Sequence, residues 1–262
     1  MNSILEKIVQ HKKLEVEQLR AVEPLNSLVN DYRLNNNSLS MESAILQGSG
    51  VIAEFKRASP SKGLINGEAN VIDITSGYQK AGASAISVLT DSLFFSALPD
   101  DFANARENVG IPVLRKDFTI DIYQIYQAKI MGADCILLIA AILNAEEIKQ
   151  FTKVTADLGL ECILEIHHPN ELEKLSGNER IIGVNNRDLD TFEVDIETSL
   201  KLEGQLGDVV KITESGLGSG SNLKALTQAG YNGFLVGESF MKDPEPVIAC
   251  KNFVDEINRL KS

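Results

Sequence analysis

The sequence lacks any long uninterrupted apolar run. None approaches the ~20 residues that a helix needs to cross a bilayer. The segment that begins Ser3-Ile4-Leu5-Glu6 is charged and amphipathic, unlike a secretory signal peptide. We therefore expect no membrane partner and a cytoplasmic location.

Cysteine is also scarce. The chain has three, Cys135, Cys162 and Cys250, an odd number at wide spacing, and the first two lie inside apolar runs. Disulfide frameworks and zinc clusters need paired or closely spaced cysteines. We therefore expect reduced residues in the core.

Positive charge is in short supply. The chain has 25 Lys and Arg residues against 37 Asp and Glu residues, and its formal net charge is -12. Nucleic-acid binding requires a concentrated basic surface, so no nucleic-acid partner is expected. An anionic small ligand would have to be bound by a few local cations against the overall negative field.

The sequence does contain eight short apolar runs rich in β-branched residues. Between most of them lie stretches with helical periodicity that end at glycine, such as 121–131 and 145–158. The runs are Val51–Phe55, Ala85–Leu89, Ile111–Leu114, Cys135–Ile139, Cys162–Ile166, Ile181–Val184, Val209–Ile212 and Gly233–Val236. This alternation is typical of an α/β protein with a parallel sheet. Eight units within ~210 residues and without a linker favour a single (β/α)₈ TIM barrel, with an open doubly wound sheet as the alternative.

Residues 1–48 precede the first run and carry helix signals of their own. Ser3 and Glu6 have the spacing of a capping box, an apolar stripe follows, and a proline ends this helix. A second helix is predicted over Met41–Gln47, between a serine N-cap and a glycine. We predict a helical extension that packs on an end of the barrel, and a barrel formed by residues 49–262.

Charged and polar residues stand at or just after the ends of most runs. Parallel barrel strands bring their carboxyl ends together at one mouth, where charges are not needed for packing. The candidates are Glu54, Lys56, Lys116, Glu165, Asn185, Arg187, Glu214 and Ser215. Each by itself fits a solvated strand end. Together, such cations and carboxylates can bind an anion and shift one another's pKa, which predicts an enzyme site.

Two glycine-rich turns follow the seventh and eighth runs. Small residues let the backbone approach a ligand, and a helix start attracts anions. We predict a phosphate site formed by Ser215, Gly216, Gly237 and Glu238, with the Glu238 side chain turned away because its charge would repel phosphate. Two ordinary tight turns are the alternative.

A metal or nucleotide cofactor is not predicted. His167 and His168 lie near Glu165, but adjacent histidines point apart and no third ligand follows at a usable spacing. The Ser/Gly run at 215–221 has neither the ending of a P-loop nor the spacing of a dinucleotide fingerprint.

The segments that carry these residues resemble the indole-3-glycerol phosphate synthase family. The most specific is Glu-Phe-Lys-Arg-Ala-Ser-Pro-Ser-Lys-Gly at 54–63. Further matches follow in the family's order at 87–91, 114–118, 164–167, 182–189, 213–216 and 235–239. The chain departs from the family after Phe94-Phe95-Ser96, where Ala97-Leu98 stands in place of Gly-Ser.

The resemblance implies a cofactor-free reaction of tryptophan biosynthesis. The family converts 1-(2-carboxyphenylamino)-1-deoxyribulose 5-phosphate to indole-3-glycerol phosphate, carbon dioxide and water. Lys116 would be the general acid, Glu165 a base or electrostatic partner, and Glu54 and Lys56 would assist dehydration and charge balance. Among the other residues, Asn185 and Arg187 would orient the anthranilate part, Phe95 and Phe118 would pack on its ring, Ser59 and Glu214 would contact substrate, and Lys56 would lie near the phosphate.

Two other functions remain open at this point. Phosphoribosylanthranilate isomerase shares the phosphate turns, but it would need neither both lysines nor the N-terminal extension. A phosphosugar-binding barrel without turnover is the non-enzymatic alternative.

We expect a monomer or weak homo-oligomer, with association with other tryptophan-pathway enzymes as an option. Lys116→Met should abolish turnover and leave melting near wild type, because a strand-end lysine carries little packing.

Overall fold

The computed structural model describes residues 3–189, 191–218 and 220–262. Eight parallel strands close into a barrel in chain order, which confirms the predicted (β/α)₈ fold. They are β1 (Val51–Phe55), β2 (Ala85–Leu89), β3 (Val113–Lys116), β4 (Cys135–Ile139), β5 (Glu161–Ile166), β6 (Ile181–Asn185), β7 (Val210–Glu214) and β8 (Gly233–Val236). Closure pairs Val51 of β1 with Phe234 of β8, so the sheet has no free edge.

Several strand ends differ from the predicted bounds. The apolar pattern predicts the third strand over Ile111–Leu114, but β3 begins after Pro112, which has no N–H to donate to a ladder. Strands β6 and β7 continue to Asn185 and Glu214, which pair with each other. The strand hydrogen bonding therefore continues past the last apolar residues and includes polar residues at the barrel mouth.

The helices mostly follow the predicted stretches. They are α1 (Ile4–Val22), α2 (Leu25–Val29), α3 (Met41–Gln47), α4 (Val71–Lys80), α5 (Ser92–Phe95), α6 (Asp101–Asn108), α7 (Ile122–Ile130), α8 (Ala145–Asp157), α9 (Glu197–Leu202), α10 (Gly220–Gln228), α11 (Glu238–Met241) and α12 (Pro246–Lys261). Side chains of Asp121 and Asn144 accept hydrogen bonds from the first turns of α7 and α8, which fixes where both helices begin. Among the described residues, no helix has the length and apolar character of a membrane span.

Shorter elements fill the remaining connections. Within the described residues, 3₁₀ helices cover Tyr32–Asn35, Pro169–Lys174 and Glu203–Gln205, and the second of them lies between β5 and β6. A small antiparallel hairpin, Ala58–Ser59 with Gly63–Leu64, follows β1 and is not predicted by the apolar pattern. This hairpin brings the Ser-Pro-Ser-Lys-Gly stretch over the barrel mouth.

Side-chain alternation along the strands divides the core into two layers. Outward residues such as Phe55 and Val88 pack against the helices, and inward residues such as Ile52 and Leu114 fill the barrel. The three cysteines are free in this structure. Cys135 and Cys250 are buried, whereas Cys162, also expected in the core, is partly buried and packs against it.

The N-terminal helices contact opposite ends of the barrel. Met41 and Ile45 of α3 are fully buried against the inward layer at the amino ends of the strands. Helix α1 has the predicted Ser3–Glu6 capping box, and its first turns reach the carboxyl-end mouth. Tertiary packing thus places α1 and α3, which belong to the same N-terminal extension, at different ends of the barrel.

Candidate active site

Two adjoining cavities open at the carboxyl ends of the strands. The first lies under α1 and the second lies between the turns that follow β7 and β8. Every site residue predicted from the sequence lines at least one of them: Glu54, Lys56, Ser59, Phe95, Lys116, Phe118, Glu165, Asn185, Arg187, Glu214, Ser215, Gly216, Gly237 and Glu238. The barrel therefore brings together residues that are far apart in the chain.

The ammonium group of Lys116 lies among three carboxylates. Its Nζ is 2.7 Å from Oε2 of Glu214 and 3.7 Å from an Oε2 of both Glu54 and Glu165. Burial by itself lowers the pKa of Lys116, but the three carboxylates outweigh burial and raise that pKa above its ordinary value. Lys116 therefore carries a proton at neutral pH and can act as a donor.

Glu54 shares its charge between two lysines. Lys56 Nζ lies 2.7 Å from Oε1, and the Ser87 hydroxyl donates to Oε2 over 3.3 Å. Burial favours the neutral acid, but Lys56 and Lys116 hold the pKa of Glu54 below its ordinary value. Glu54 is thus an ionised carboxylate in contact with both lysines of the site.

Glu165 and Glu214 differ in protonation. Burial and the nearby charge of Glu165 raise the pKa of Glu214 to about 8. Burial also opposes ionisation of Glu165, but hydrogen bonding with Glu214 and the charge of Lys116 hold its pKa well below the ordinary value. At neutral pH one carboxyl of the pair holds a proton and the other is ionised, so acid and base lie side by side.

Asn185 connects the base to the phosphate side of the site. Its Nδ2 donates to Oε1 of Glu165 over 3.2 Å, and its Oδ1 accepts from the Ser215 hydroxyl over 2.9 Å and from the Arg187 N–H over 3.0 Å. An amide that donates at one end and accepts at the other can orient both groups at once.

His167 is a site neighbour that the sequence reasoning set aside. Its Nε2 lies 3.1 Å from Oε1 of Glu165, and Nδ1 lies 3.8 Å from Oε2 of Glu171. Burial lowers the pKa of His167, but the two carboxylates outweigh it and raise that pKa to about 10. The sequence signal for this contact was the position of His167 two residues after Glu165, which places both side chains on the same face of an extended strand.

Within the described ranges, no group of three or more His, Cys, Asp or Glu residues is placed to hold a metal.

The first cavity has an apolar wall suited to a flat ring. The rings of Phe95 and Phe118 lie 6.1 Å apart between centroids at an interplanar angle of 38°. Leu137, Ile139, Ile4, Leu5 and Ile8 complete this wall. The last three belong to α1 and were not predicted as site residues, because an apolar stripe does not reveal what it covers.

The departure at Ala97 does not strain the loop after β2. The residue in the left-handed region there is Ser96, with φ of 57°, which ends α5. Among described residues, the non-glycine positions with positive φ are Ser96, Phe192 and Ser215. Ala97 therefore needs no glycine-like freedom.

The second cavity has the character of an anion site. Glycines from both predicted turns line it together with four cationic side chains: Lys56, Lys62, Arg187 and Lys242. Ser215 and Gly216 both have positive φ, 68° and 75°, which bends the backbone sharply at the end of β7. Lys62 lies in the Ser-Pro-Ser-Lys-Gly match, whereas no sequence signal marks Lys242.

The expectation that Glu238 turns away from the site is wrong. Its side chain lines both cavities, and Oε2 accepts a hydrogen bond from Nη2 of Arg187 over 3.0 Å. The guanidinium offsets the negative charge that would otherwise repel phosphate.

Glycine is required at position 237 for a second reason, besides letting the backbone approach an anion. A Cβ atom at this position would lie 2.5 Å from Oε1 of Glu54. The glycine therefore leaves room for a carboxylate of the Lys116 cluster.

Fold and site together define a class of protein, a barrel enzyme with a buried acid–base centre between an aromatic pocket and an anion site. The family model for indole-3-glycerol phosphate synthase matches residues 5–253. The chain belongs to the indole-3-glycerol phosphate synthase family, and it is accordingly an enzyme, a decarboxylating lyase of tryptophan biosynthesis. This membership decides against the isomerase alternative.

Individual relatives agree with the family match. An indole-3-glycerol phosphate synthase from Bacteroides thetaiotaomicron is 45% identical and the match covers 98% of this chain and 100% of the relative. One from Carboxydothermus hydrogenoformans is 42% identical over 92% of this chain and 96% of the relative. A solved structure of thiamine phosphate pyrophosphorylase from Pyrococcus furiosus covers 83% of this chain and 100% of its own with a TM-score of 0.61, but at 12% identity it shares the fold alone.

Proposed function

We propose that the mouth of this barrel converts 1-(2-carboxyphenylamino)-1-deoxyribulose 5-phosphate to indole-3-glycerol phosphate, carbon dioxide and water. The observation that carries the proposal is the Lys116 ammonium, held by three carboxylates between an aromatic wall and a cation-lined cavity. A substrate with a ring at one end and a phosphate at the other matches that order.

The two cavities would hold the two ends of the substrate. Phe95 and Phe118 would pack on the anthranilate ring, with Arg187, Asn185 and Ser59 near its polar groups. The phosphate would lie against the glycine turns and near Lys56 and Lys62. Since Glu54, Lys56 and Glu214 line both cavities, the carbonyl between the two ends would lie over the charged cluster.

Ring closure joins the carboxylate-bearing ring carbon to the carbonyl carbon. As this carbon–carbon bond forms, the carbonyl π electrons move to oxygen, which takes a proton from Lys116. The bond to the carboxylate then breaks and releases carbon dioxide, and its electron pair restores the aromatic ring. The acid is therefore needed at oxygen, and decarboxylation needs little further help.

Dehydration completes the indole ring. The new hydroxyl leaves as water after protonation, while a base removes a proton from the neighbouring carbon so that the double bond forms. Glu165, ionised and held by Asn185, is suited to the base or to electrostatic support. Glu54 and Lys56 would balance charge during this step, and the protonated Glu214 offers a second proton donor.

The proposal also covers setting and assembly. A metabolic enzyme of this pathway would work in the cytoplasm, as a monomer or weak homo-oligomer, without a metal or nucleotide cofactor. Association with other tryptophan-pathway enzymes stays part of the proposal.

Direct assay tests the function. The purified chain would be incubated with the carboxyphenylamino substrate while indole fluorescence is followed, and the chain's lack of tryptophan keeps the protein background low. Product formation supports the proposal. Tight product binding without turnover would instead support a phosphosugar-binding barrel.

A further inference from the structure

Lys12, on the third turn of α1, is a buried lysine outside the substrate cavities. Its side chain is 0% exposed, and its Nζ lies 2.9 Å from Oε2 of Glu15, 3.0 Å from Oδ1 of Asp117 and 3.1 Å from Oδ2 of Asp91. Lysine is rarely buried so completely unless it is paired. The carboxylates outweigh the effect of burial and raise the pKa of Lys12, so it is charged.

The two aspartates begin the loops that follow β2 and β3. Asp91 caps α5 by accepting the Phe94 N–H over 2.7 Å. Asp117 directly follows the donor Lys116 and accepts from the Thr90 hydroxyl over 2.7 Å and from Arg115 Nη2 over 3.1 Å. A single ammonium group on α1 thus joins the starting points of both loops.

Each of these loops supplies one ring of the aromatic wall. Phe95 lies on α5 behind its Asp91 cap, and Phe118 is the residue after Asp117. The two rings pack against each other at a tilt, with their centroids 6.1 Å apart, so a shift of either loop changes the wall that the pair presents to the cavity. Asp91 and Asp117 are both negative and would repel each other without the cation between them.

We propose that Lys12 is a positioning residue whose buried ammonium holds the two loops together and thereby sets how Phe95 and Phe118 pack as the wall that receives the substrate ring. The inference rests on the proposed function, because it assigns the pocket to the anthranilate ring. It predicts that Lys12 acts on substrate binding more than on the chemical step, since the Lys116 ammonium has its own carboxylate partners.

The same helix offers a matched control. Arg20 of α1 also pairs with a barrel aspartate, Asp121, over 2.6 Å, but both side chains are partly exposed, at 41% and 29%. Neither residue lines the substrate cavities. Arg20→Met therefore removes a partly exposed ionic contact between α1 and the far end of the loop after β3, and it leaves the buried contacts of Lys12 with Asp91 and Asp117 in place.

The experiment compares Lys12→Met, Asp91→Asn, the double variant of both, and Arg20→Met with wild type. Lys12→Met leaves a buried carboxylate unpaired and lowers stability, whereas the double variant removes that charge and keeps an N-cap, because Asn caps helices as well as Asp. Steady-state kinetics would be measured where circular dichroism shows each variant folded. Hydrogen exchange of segments 92–98 and 117–121 would be followed in the same samples without substrate.

We expect KM to rise about tenfold or more in Lys12→Met and in the double variant, with kcat within about threefold of wild type. Exchange should quicken in the two loop segments and not across the barrel, and Arg20→Met should match wild type. A wild-type KM in the double variant would mean that Lys12 is only a counterion, and it would overturn the proposal. An equal rise of KM in Arg20→Met, or faster hydrogen exchange across the whole barrel, would also overturn it. Turnover by the wild-type chain tests the proposed function, whereas hydrogen exchange of the loops is measured without turnover. A failure of the proposed function can therefore be told apart from a failure of the role of Lys12.

Discussion

Replacing Lys116 by Met removes the cation at the centre of the site. Methionine keeps an unbranched side chain but is one heavy atom shorter and uncharged, so it loses the contacts of 2.7, 3.7 and 3.7 Å to Glu214, Glu54 and Glu165. We expect turnover to fall by about a thousandfold or more, within the range by which a general acid accelerates a reaction. Loss of the proton donor is the reason, so kcat should carry most of the change.

The structure also predicts a loss of stability, in contrast to the near-wild-type melting expected from sequence alone. Removing one partner of a buried ion pair costs about 3–5 kcal/mol, which is roughly 10 °C in melting temperature for a chain of this size. Lys116 helps to hold the pKa of Glu54 and of Glu165 low, so without the ammonium one of these carboxyls has its folded-state pKa raised above the unfolded value, as Glu214 already has in wild type. Such a group stabilises the fold at low pH and loses that contribution as pH rises, so the deficit should be larger at pH 8 than at pH 6 by up to about 2.7 kcal/mol.

Two assays check these numbers. Indole fluorescence gives kcat, and thermal unfolding at pH 6 and pH 8 gives the stability difference. Lys153→Met is a suitable control, because Lys153 is 72% exposed and its pair with Asp157 lies on the surface. A Lys116→Met variant that keeps a tenth of wild-type activity would refute the acid role, and unchanged melting at pH 8 would refute the counterion role.

Three further predictions follow from the geometry. The pKa of His167 is raised from 6.5 to about 10, so the protonated imidazole stabilises the fold below pH 6.5 and this contribution is lost as pH rises toward 10. The free energy of unfolding in urea should therefore depend less on pH over that interval in His167→Gln than in wild type. Equal pH dependence of the two proteins would contradict this. Gly237→Ala should lower kcat/KM by roughly 10²-fold because its Cβ displaces Glu54, whereas Gly218→Ala, with open space around it in the same cavity, should stay near wild type. Similar activities of the two variants would remove that role of Gly237. Activity should survive exhaustive EDTA treatment, and a loss reversed by added zinc or magnesium would disprove the cofactor-free mechanism.

Much of the site could be predicted because the fold itself assembles it. Lys116 and Glu214 are the last residues of their strands and Glu165 is the last but one of β5, and a parallel barrel brings such ends to one mouth whatever the helices between them. Side-chain groups outside that rule were harder to find. Lys12 lies in a helix that precedes the barrel, and Lys242 follows a short helix after β8, so no strand-end position marks them.

The sequence by itself determined the number and order of the strands, the start of α1 and α3, and the identity of the ionisable groups at the mouth. These depend on local capping and on apolar periodicity, which neighbouring residues decide. Only the tertiary structure decided that the pKa of Glu214 rises while that of Glu165 falls, that Glu238 turns toward Arg187, and that α1 reaches the mouth. Those outcomes depend on distances of a few ångströms between residues that are remote in the chain, because the pKa of a buried group and the direction of a side chain are set by the charges that surround it.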